Sequence, residues 1–475
     1  MGVHQGAQCD RASLAQNYYY NGLRFFYPEV NETFCGDGIV SVEMPLPSYF
    51  AAILYKFFGY NEQWFRLLTF TFFTIGMYAL FLWFKLYFKT LTAFALLLII
   101  NSSPIILFYS ISFLPDIVSL SLVLVAWYLF FRQHISHPFL PLKNQNVYQI
   151  LFIITLSLSL AIKTTSGIQW FSMLGLLFLS YFRFLIIELL QRKKLIISLA
   201  IASLMPIGWQ LWSRHLGEHH RKEYFMMQVP LSENWTHFKN AFDCYFANWP
   251  EQTLGNPIIY LALSLLVIII FLKKWINPTL YFLSFINTIG SVLFFGLMVQ
   301  QFKYHDYYII CLMPMFFINW IALASALPKI KSKHWYFKVA IFGLVIYAFS
   351  FQYKLGKRNF EERFEKGNYW EQSQQDIEDY KQFKIKLNAV GINYTHKVAA
   401  GYDGAPNNML YLLHLRGFRV QANEHSDRKN KIVKDCQPLI LIINDSNMLN
   451  EYKAFVKSVK LKAEYKYLKA YEVLY

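Results

Sequence analysis

The chain is short of charge. Asp, Glu, Lys and Arg supply only 16% of its 475 residues, while hydrophobic residues supply 55% and aromatics 19%. A soluble chain carries roughly a quarter charged residues, so this one lacks the ionic surface of an ordinary water-soluble enzyme and reads as an integral membrane protein. Acids are the scarcer sign, 29 against 45 basic residues, for a net charge of +16. That excess does not indicate nucleic acid, because the cations cluster in short loops between apolar runs, as cytoplasmic membrane loops do. Cysteine is scarce too. The five thiols, Cys9, Cys35, Cys244, Cys311 and Cys436, stand at no metal-finger spacing, which excludes a structural zinc module. Cys9 and Cys35 share one polar segment, and a disulfide between them and two ordinary thiols are both open readings. Residues 1–15 lack the apolar core of a cleavable signal peptide. No internal repeat is visible, which argues against the two related halves of a transporter.

What is present is a polar, aromatic block followed at once by apolar runs. Residues 1–64 carry Asp10, Glu29, Glu32, Asp37 and Glu43 and hold no run long enough to cross a bilayer. A span needs roughly 20 largely apolar residues. About ten are expected, over 65–84, 92–110, 114–131, 148–164, 167–183, 195–212, 257–272, 279–299, 307–327 and 337–353. Their alternate connections hold Lys85 and Lys89, Arg132 and Lys143, Arg192 to Lys194, Lys273 and Lys274, and Lys329 to Lys338. The positive-inside rule makes that side cytoplasmic. Residues 1–64 and everything after 354 then lie outside, and one further span upstream of Met1 is the simplest way to start outside.

Two stretches of the first block, Ser13–Phe26 and Pro47–Tyr60, have helical periodicity and many aromatic rings, as helices lying in the interface plane do. Beyond Tyr353 the character changes. Helical signals over Gln372–Asn388, Asn407–Leu415 and Met448–Val459 alternate with strand signals over Lys397–Gly401, Pro438–Ile443 and Glu464–Leu474. The expected architecture is therefore mainly α: a polytopic transmembrane bundle over 65–353, an outer block over 1–64 with interfacial helices, and a small α/β domain over 354–475.

Ionisable groups at membrane depth are functional hypotheses by default. Asp116 follows Pro115 where a helix begins, a place that also suits an ordinary helix-start acid. Lys163 runs against the positive-inside trend; it reads either as a snorkelling lysine or as a cation for a lipid-borne phosphate. His305 and Asp306 open another helix, and Asp10 suits a turn before a helix, where it would be a plain cap. The topology places Asp10, Glu43, Asp116, Lys163 and His305 on one face, which the separate bland readings do not explain. GYDGAPNN at 401–408 and LIINDSN at 441–447 read as turn chemistry at strand ends.

The chain resembles the C-type membrane glycosyltransferases, the superfamily of protein O-mannosyltransferases and lipid A aminoarabinose transferases. HQGAQCDRASLAQNYY at 4–19, GLRFFYPEV at 22–30, VEMPLPSYFAAILYKFFGYNEQWFR at 42–66, FLPD at 113–116, AIKTT at 161–165 and HDYY at 305–308 carry the resemblance, and APNNMLYLLHLRGF at 405–418 carries it more weakly. It implies Asp10 as the catalytic carboxylate and Asp116 as the second acid. Glu43 matches the acid of a Glu-Lys-Pro-Pro element associated with metal, which here reads Glu43-Met44-Pro45 without the lysine. The implied donor is a sugar on a polyprenyl phosphate, and the acceptor a glycolipid, cell-envelope glycan or protein at the outer face of the cytoplasmic membrane. Lys163, Arg66 and His305 would bind the donor phosphate. A divalent cation (Mg, Mn or Zn) would take Glu43, Asp116 and His305 as its ligands. The rival from another class is a transporter or lipid-carrier flippase.

Overall fold

The structure is a computed structural model. It describes residues 4–33, 35–134, 145–181, 192–220, 231–248, 269–270, 272–326, 335–363, 377–401, 405–419, 436–444, 449–450 and 456–474. The chain forms two compact units. One joins residues 1–65, 212–226 and 363–475; the other holds residues 66–211 and 227–362.

The second unit is helical. Its elements are α3 (Glu62–Lys85), which enters it at Arg66, α4 (Thr90–Asn101), α5 (Pro104–Tyr109), α6 (Asp116–His134), α7 (Gln145–Ile162), α8 (Gly167–Tyr181), α9 (Arg192–His220) up to Leu211, α10 (Trp235–Asn248), α11 (Pro278–Tyr304), α12 (Met313–Ala326) and α13 (Trp335–Glu362). Among the described residues five helices are long and apolar enough to cross a membrane: Glu62–Lys85, Asp116–His134, Arg192–His220, Pro278–Lys303 and Asp306–Leu323. Their outward faces are apolar. Leu204, Leu211, Val292, Leu293 and Leu297 are all exposed, which suits lipid rather than water. The protein is a multi-pass membrane protein.

The expected ten spans are not all found as such. The run at 92–110 divides into α4 and α5, because Pro104 cannot continue a helix and starts a new one instead. The run at 148–164 ends at Ile162, before a short 3-10 turn over Thr164–Ser166. The run at 257–272 lies largely outside the described residues, as do Lys143, Lys329, Lys331 and Lys333. Helix crossings use small residues: a Cβ on Gly76 would stand 2.6 Å from Ser121 Cα, so α3 and α6 meet backbone to backbone there.

The first unit combines two segments that the sequence reading set apart. It holds α1 (Gln5–Tyr20), α2 (Leu46–Phe58), α14 (Ile377–Ala389), α15 (Asn408–Leu412) and five strands: β1 (Lys397–Ala400), β2 (Arg416–Arg419), β3 (Ile440–Ile443), β4 (Ser458–Tyr465) and β5 (Leu468–Leu474). The sheet order is β2-β1-β3-β5-β4. β1 pairs in parallel with β2 and β3, and β5 pairs antiparallel with β3 and β4. Strand alternation divides the core in two: Val398, Ile440 and Ile442 pack with Tyr380, Phe383 and Leu387 of α14, while Ala399, Leu441 and Ile443 pack with Phe418 and Val473 on the other face.

Two expectations change here. The first helix, expected over Ser13–Phe26, is α1 over Gln5–Tyr20. It starts eight residues earlier, at Gln5, and buries polar Gln5, Gln8, Ser13, Gln16 and Asn17 together with Cys9 and Leu14. α2 keeps the expected amphipathic form, with Ala51, Ala52 and Tyr55 buried and Phe57 and Phe58 exposed. The disulfide joins Cys35 to Cys436, 401 residues apart, and Cys9 is a free, buried thiol. Cys9 is held in α1, where its Sγ donates to Asn408 Oδ1 at 3.3 Å.

Candidate functional site

In the helical unit a polar cluster forms where α6 begins. Asp116 is the first residue of α6. Lys163 sits at the end of α7, where the chain turns extended (φ −148°, ψ 108°) before the 3-10 turn. That break lets the lysine leave the helix surface. Its Nζ stands 3.6 Å from Asp116 Oδ1, and both residues are only 5% exposed. The ammonium also faces the rings of Tyr307 and Tyr308, at 5.9 and 5.1 Å from their centroids. The ammonium is thus a buried cation facing one carboxylate and two aromatic rings. Ser119, Thr165, Ser166 and Cys311 complete a small cavity around the pair, and the two serine hydroxyls hydrogen-bond each other at 2.7 Å.

His305 follows α11 and stacks on Tyr307 with centroids 5.3 Å apart, so it shares this aromatic pair with Lys163. Next to it, Asp306 is fully buried and accepts a 2.5 Å hydrogen bond from the Tyr109 hydroxyl. Arg66, expected to bind phosphate, has a different immediate partner. Its Nη1 donates to the Ile111 carbonyl at 2.8 Å and its guanidinium covers the Phe113 ring at 4.4 Å. It therefore braces the loop that delivers Asp116.

In the first unit Asp10 lies within α1 rather than in a turn before a helix, which corrects the capping expectation. Its Oδ1 accepts from Asn407 Nδ2 at 2.9 Å. Asn407 in turn accepts from the Glu32 amide at 2.7 Å, and the Glu32 carboxylate accepts from the Arg419 amide at 2.7 Å. A chain of hydrogen bonds thus fixes the carboxylate through an asparagine from the far end of the sequence. Close approach makes it reachable: a Cβ on Gly6 would stand 2.3 Å from Ala405 Cβ. Asn408 holds the preceding turn of α1, accepting from Gln5 Nε2 at 2.8 Å. Glu43 faces Arg11 at 3.1 Å.

Of the residues expected to hold a divalent cation, Asp116 and His305 lie in the helical unit and Glu43 in the first unit. Among the described residues no group of three or more His, Cys, Asp or Glu side chains is placed to hold a metal ion. Glu43 faces Arg11, and Asp116 faces Lys163 through one of its two oxygens. No step below is routed through a metal.

Sequence reasoning missed Asn407, Asn408, Arg11, Tyr109 and the tyrosine pair. APNN at 405–408 was read as turn chemistry, and its proximity to Asp10 carries no local signal. HDYY did contain Tyr307 and Tyr308, but nothing in their spacing tied them to Lys163.

Residues 42–212 match the profile of the dolichyl-phosphate-mannose-protein mannosyltransferase family. No curated protein matches the chain. Among solved structures it is similar to ArnT from Cupriavidus metallidurans in the apo state, with 10% identity and a TM-score of 0.62 over 98% of this chain and 93% of that one. The same enzyme bound to undecaprenyl phosphate gives 9% identity and 0.64 over the same shares. The oligosaccharyltransferase of Archaeoglobus fulgidus gives 12% and 0.57, over 93% of this chain and 66% of that one. At these identities the likeness is one of fold.

Proposed function

From a chain with the fold of the C-type membrane glycosyltransferases, we propose a glycosyltransferase that moves a sugar from a polyprenyl-phosphate-linked donor to an acceptor at the outer face of the cytoplasmic membrane. The observation that carries this reading is the buried Lys163–Asp116 pair over Tyr307 and Tyr308. A compact ammonium in a water-poor site suits the phosphate of a lipid carrier, and a structure of similar fold has undecaprenyl phosphate bound.

In this reading Asp10 is the general base. It takes the proton of an acceptor hydroxyl or amine as that atom attacks the anomeric carbon. The bond from that carbon to the phosphate oxygen breaks, the configuration inverts, and the lipid phosphate leaves as a monoester anion. Lys163 stabilises that anion as its charge grows. Asp116 orients Lys163 and adds negative charge that favours an oxocarbenium-like transition state. His305 is a second phosphate contact, and Arg66 positions the Asp116 loop. The acceptor is a glycolipid, an envelope glycan or a protein.

The Cys35–Cys436 disulfide supports an external placement for the first unit, because structural disulfides persist on oxidising sides of membranes. The test is transfer by purified protein in lipid nanodiscs, with a radiolabelled polyprenyl-phosphate sugar and an extract of envelope acceptors. Labelled product that disappears in Asp10→Asn is the expected result. Carrier translocation with no product would favour the flippase reading.

A further inference from the structure

A second cavity lies away from both carboxylates. It opens in the first unit beside the sheet, with a volume of about 330 Å³. Its walls come from three places: Asn21 after α1 with Thr33 and residues 35–37 of the loop that follows; the strand entry at 394–398; and β2 with Cys436. The Cys35–Cys436 disulfide forms part of the wall, so the cavity is covalently framed.

Its lining is polar, with a cationic side. Tyr394 is half-buried: its ring packs on Tyr20 with centroids 4.5 Å apart and lies 5.8 Å from the Arg416 guanidinium, and its hydroxyl donates to Asn17 Oδ1 at 2.7 Å. Thr395 is exposed beside it, and His396 is half-buried. Lys397 opens β1 with its side chain exposed. Arg416 donates through Nη2 to Glu29 and to the Asp37 carbonyl, while its Nε–H is buried with no hydrogen-bond acceptor among the described residues. The Asp37 carboxylate is engaged by His220 at 2.8 Å. The lining acid is thus paired, and Lys397 stands exposed at the mouth.

We propose that this cavity binds an acidic saccharide segment of the acceptor, the polar wall of Asn21, Thr395 and His396 receiving the sugar hydroxyls and Lys397 the carboxylate or phosphate. The inference rests on the transferase reading for its role, since an acceptor glycan is what the reaction would bring here. Asn21 lies eleven residues beyond Asp10 along α1, about 16 Å at the helical rise. An acceptor that reaches both must therefore be longer than one sugar, and the cavity would select acceptors by a part remote from the reacting hydroxyl.

The test titrates the full chain in nanodiscs with tetragalacturonate, which is anionic, and maltotetraose, which is neutral. Saturable binding of tetragalacturonate is expected, with maltotetraose about tenfold weaker and Lys397→Glu lowering tetragalacturonate affinity by about tenfold, as one charge pair in a partly solvated site implies. Asp10→Asn should bind as wild type does. Lys397→Gln, milder for folding, should fall between wild type and Lys397→Glu. No binding of tetragalacturonate, equal binding of both sugars, or unchanged affinity in both Lys397 variants would overturn the proposal. Binding is read without turnover. Saturable tetragalacturonate binding by a wild-type protein that transfers no sugar would uphold the saccharide site and sink the transferase reading alone.

Discussion

Asp10 is useful as a base only if its carboxylate is aimed, and Asn407 does the aiming through one 2.9 Å hydrogen bond. Asp10→Asn should lower the transfer rate by about 10² to 10⁴, the range for loss of a positioned base, with little change in donor affinity. Asn407→Ala should lower kcat in the same direction but less, since the carboxylate remains and only its orientation loosens. Lys163 makes the opposite kind of contribution. Lys163→Met should raise the KM for the lipid-phosphate donor, and it also strands Asp116. Breaking a buried pair by removing one member typically costs about 3–5 kcal/mol, so thermal unfolding should be followed beside the kinetics. Asp116→Asn with Lys163→Met would recover part of that stability without recovering activity. A separate residue sets an acid limit. His414 is pushed down to about 3, first by burial and then by the charge of Lys384. It is neutral in the folded chain while the unfolded chain protonates near 6.5, so the fold takes up fewer protons between those values. Stability from this group is whole above about pH 6.5 and falls progressively toward pH 3. Melting temperature against pH should show that slope, and His414→Phe should flatten it.

At the level of elements, the membrane helices are the part most legible in the chain itself. Long apolar runs broken by Lys and Arg mark α3 and α6 to within three residues and α11 to within five, because bilayer thickness leaves little choice of length, while α9 continues eight residues past its run to His220. Strands β1 and β3 announce themselves as short apolar runs, and β5 by alternation. β2 was missed: Arg416-Gly417-Phe418-Arg419 has one large apolar residue, and its pairing is set by close approach, since a Cβ on Gly417 would stand 1.8 Å from Val398 O. α1 was misplaced because its buried face is polar, so no hydrophobic period marks it. It is held by amides and hydroxyls, such as Asn17 with Asn31 at 2.8 Å. The same rule of close approach governs Gly76 in α3. Gly76→Val would drive methyls into the Ser121 backbone and should destabilise the bundle by about 1–3 kcal/mol, read by thermal unfolding in detergent.

For the whole molecule, the active-site candidates were legible as residues but their partners were not. Asp10, Glu43, Asp116 and Lys163 stand out because charge is rare here. Asn407 and Cys436 come from the opposite end of the chain, and no local pattern reports a contact some four hundred residues away. The Cys35–Cys436 bond ties those ends together. Replacing Cys436 with Ser should destabilise the first unit by about 2–5 kcal/mol, measured as a lower melting temperature in non-reducing buffer. The two thiols should resist a membrane-impermeant maleimide applied to intact cells until a reductant is added. Fixing Asp10 from residue 407 also orders events in time. A ribosome must add 397 residues after Asp10 before the base can be aimed, so a nascent chain already threaded into the bilayer has no competence to consume lipid carrier until Asn407 has been made.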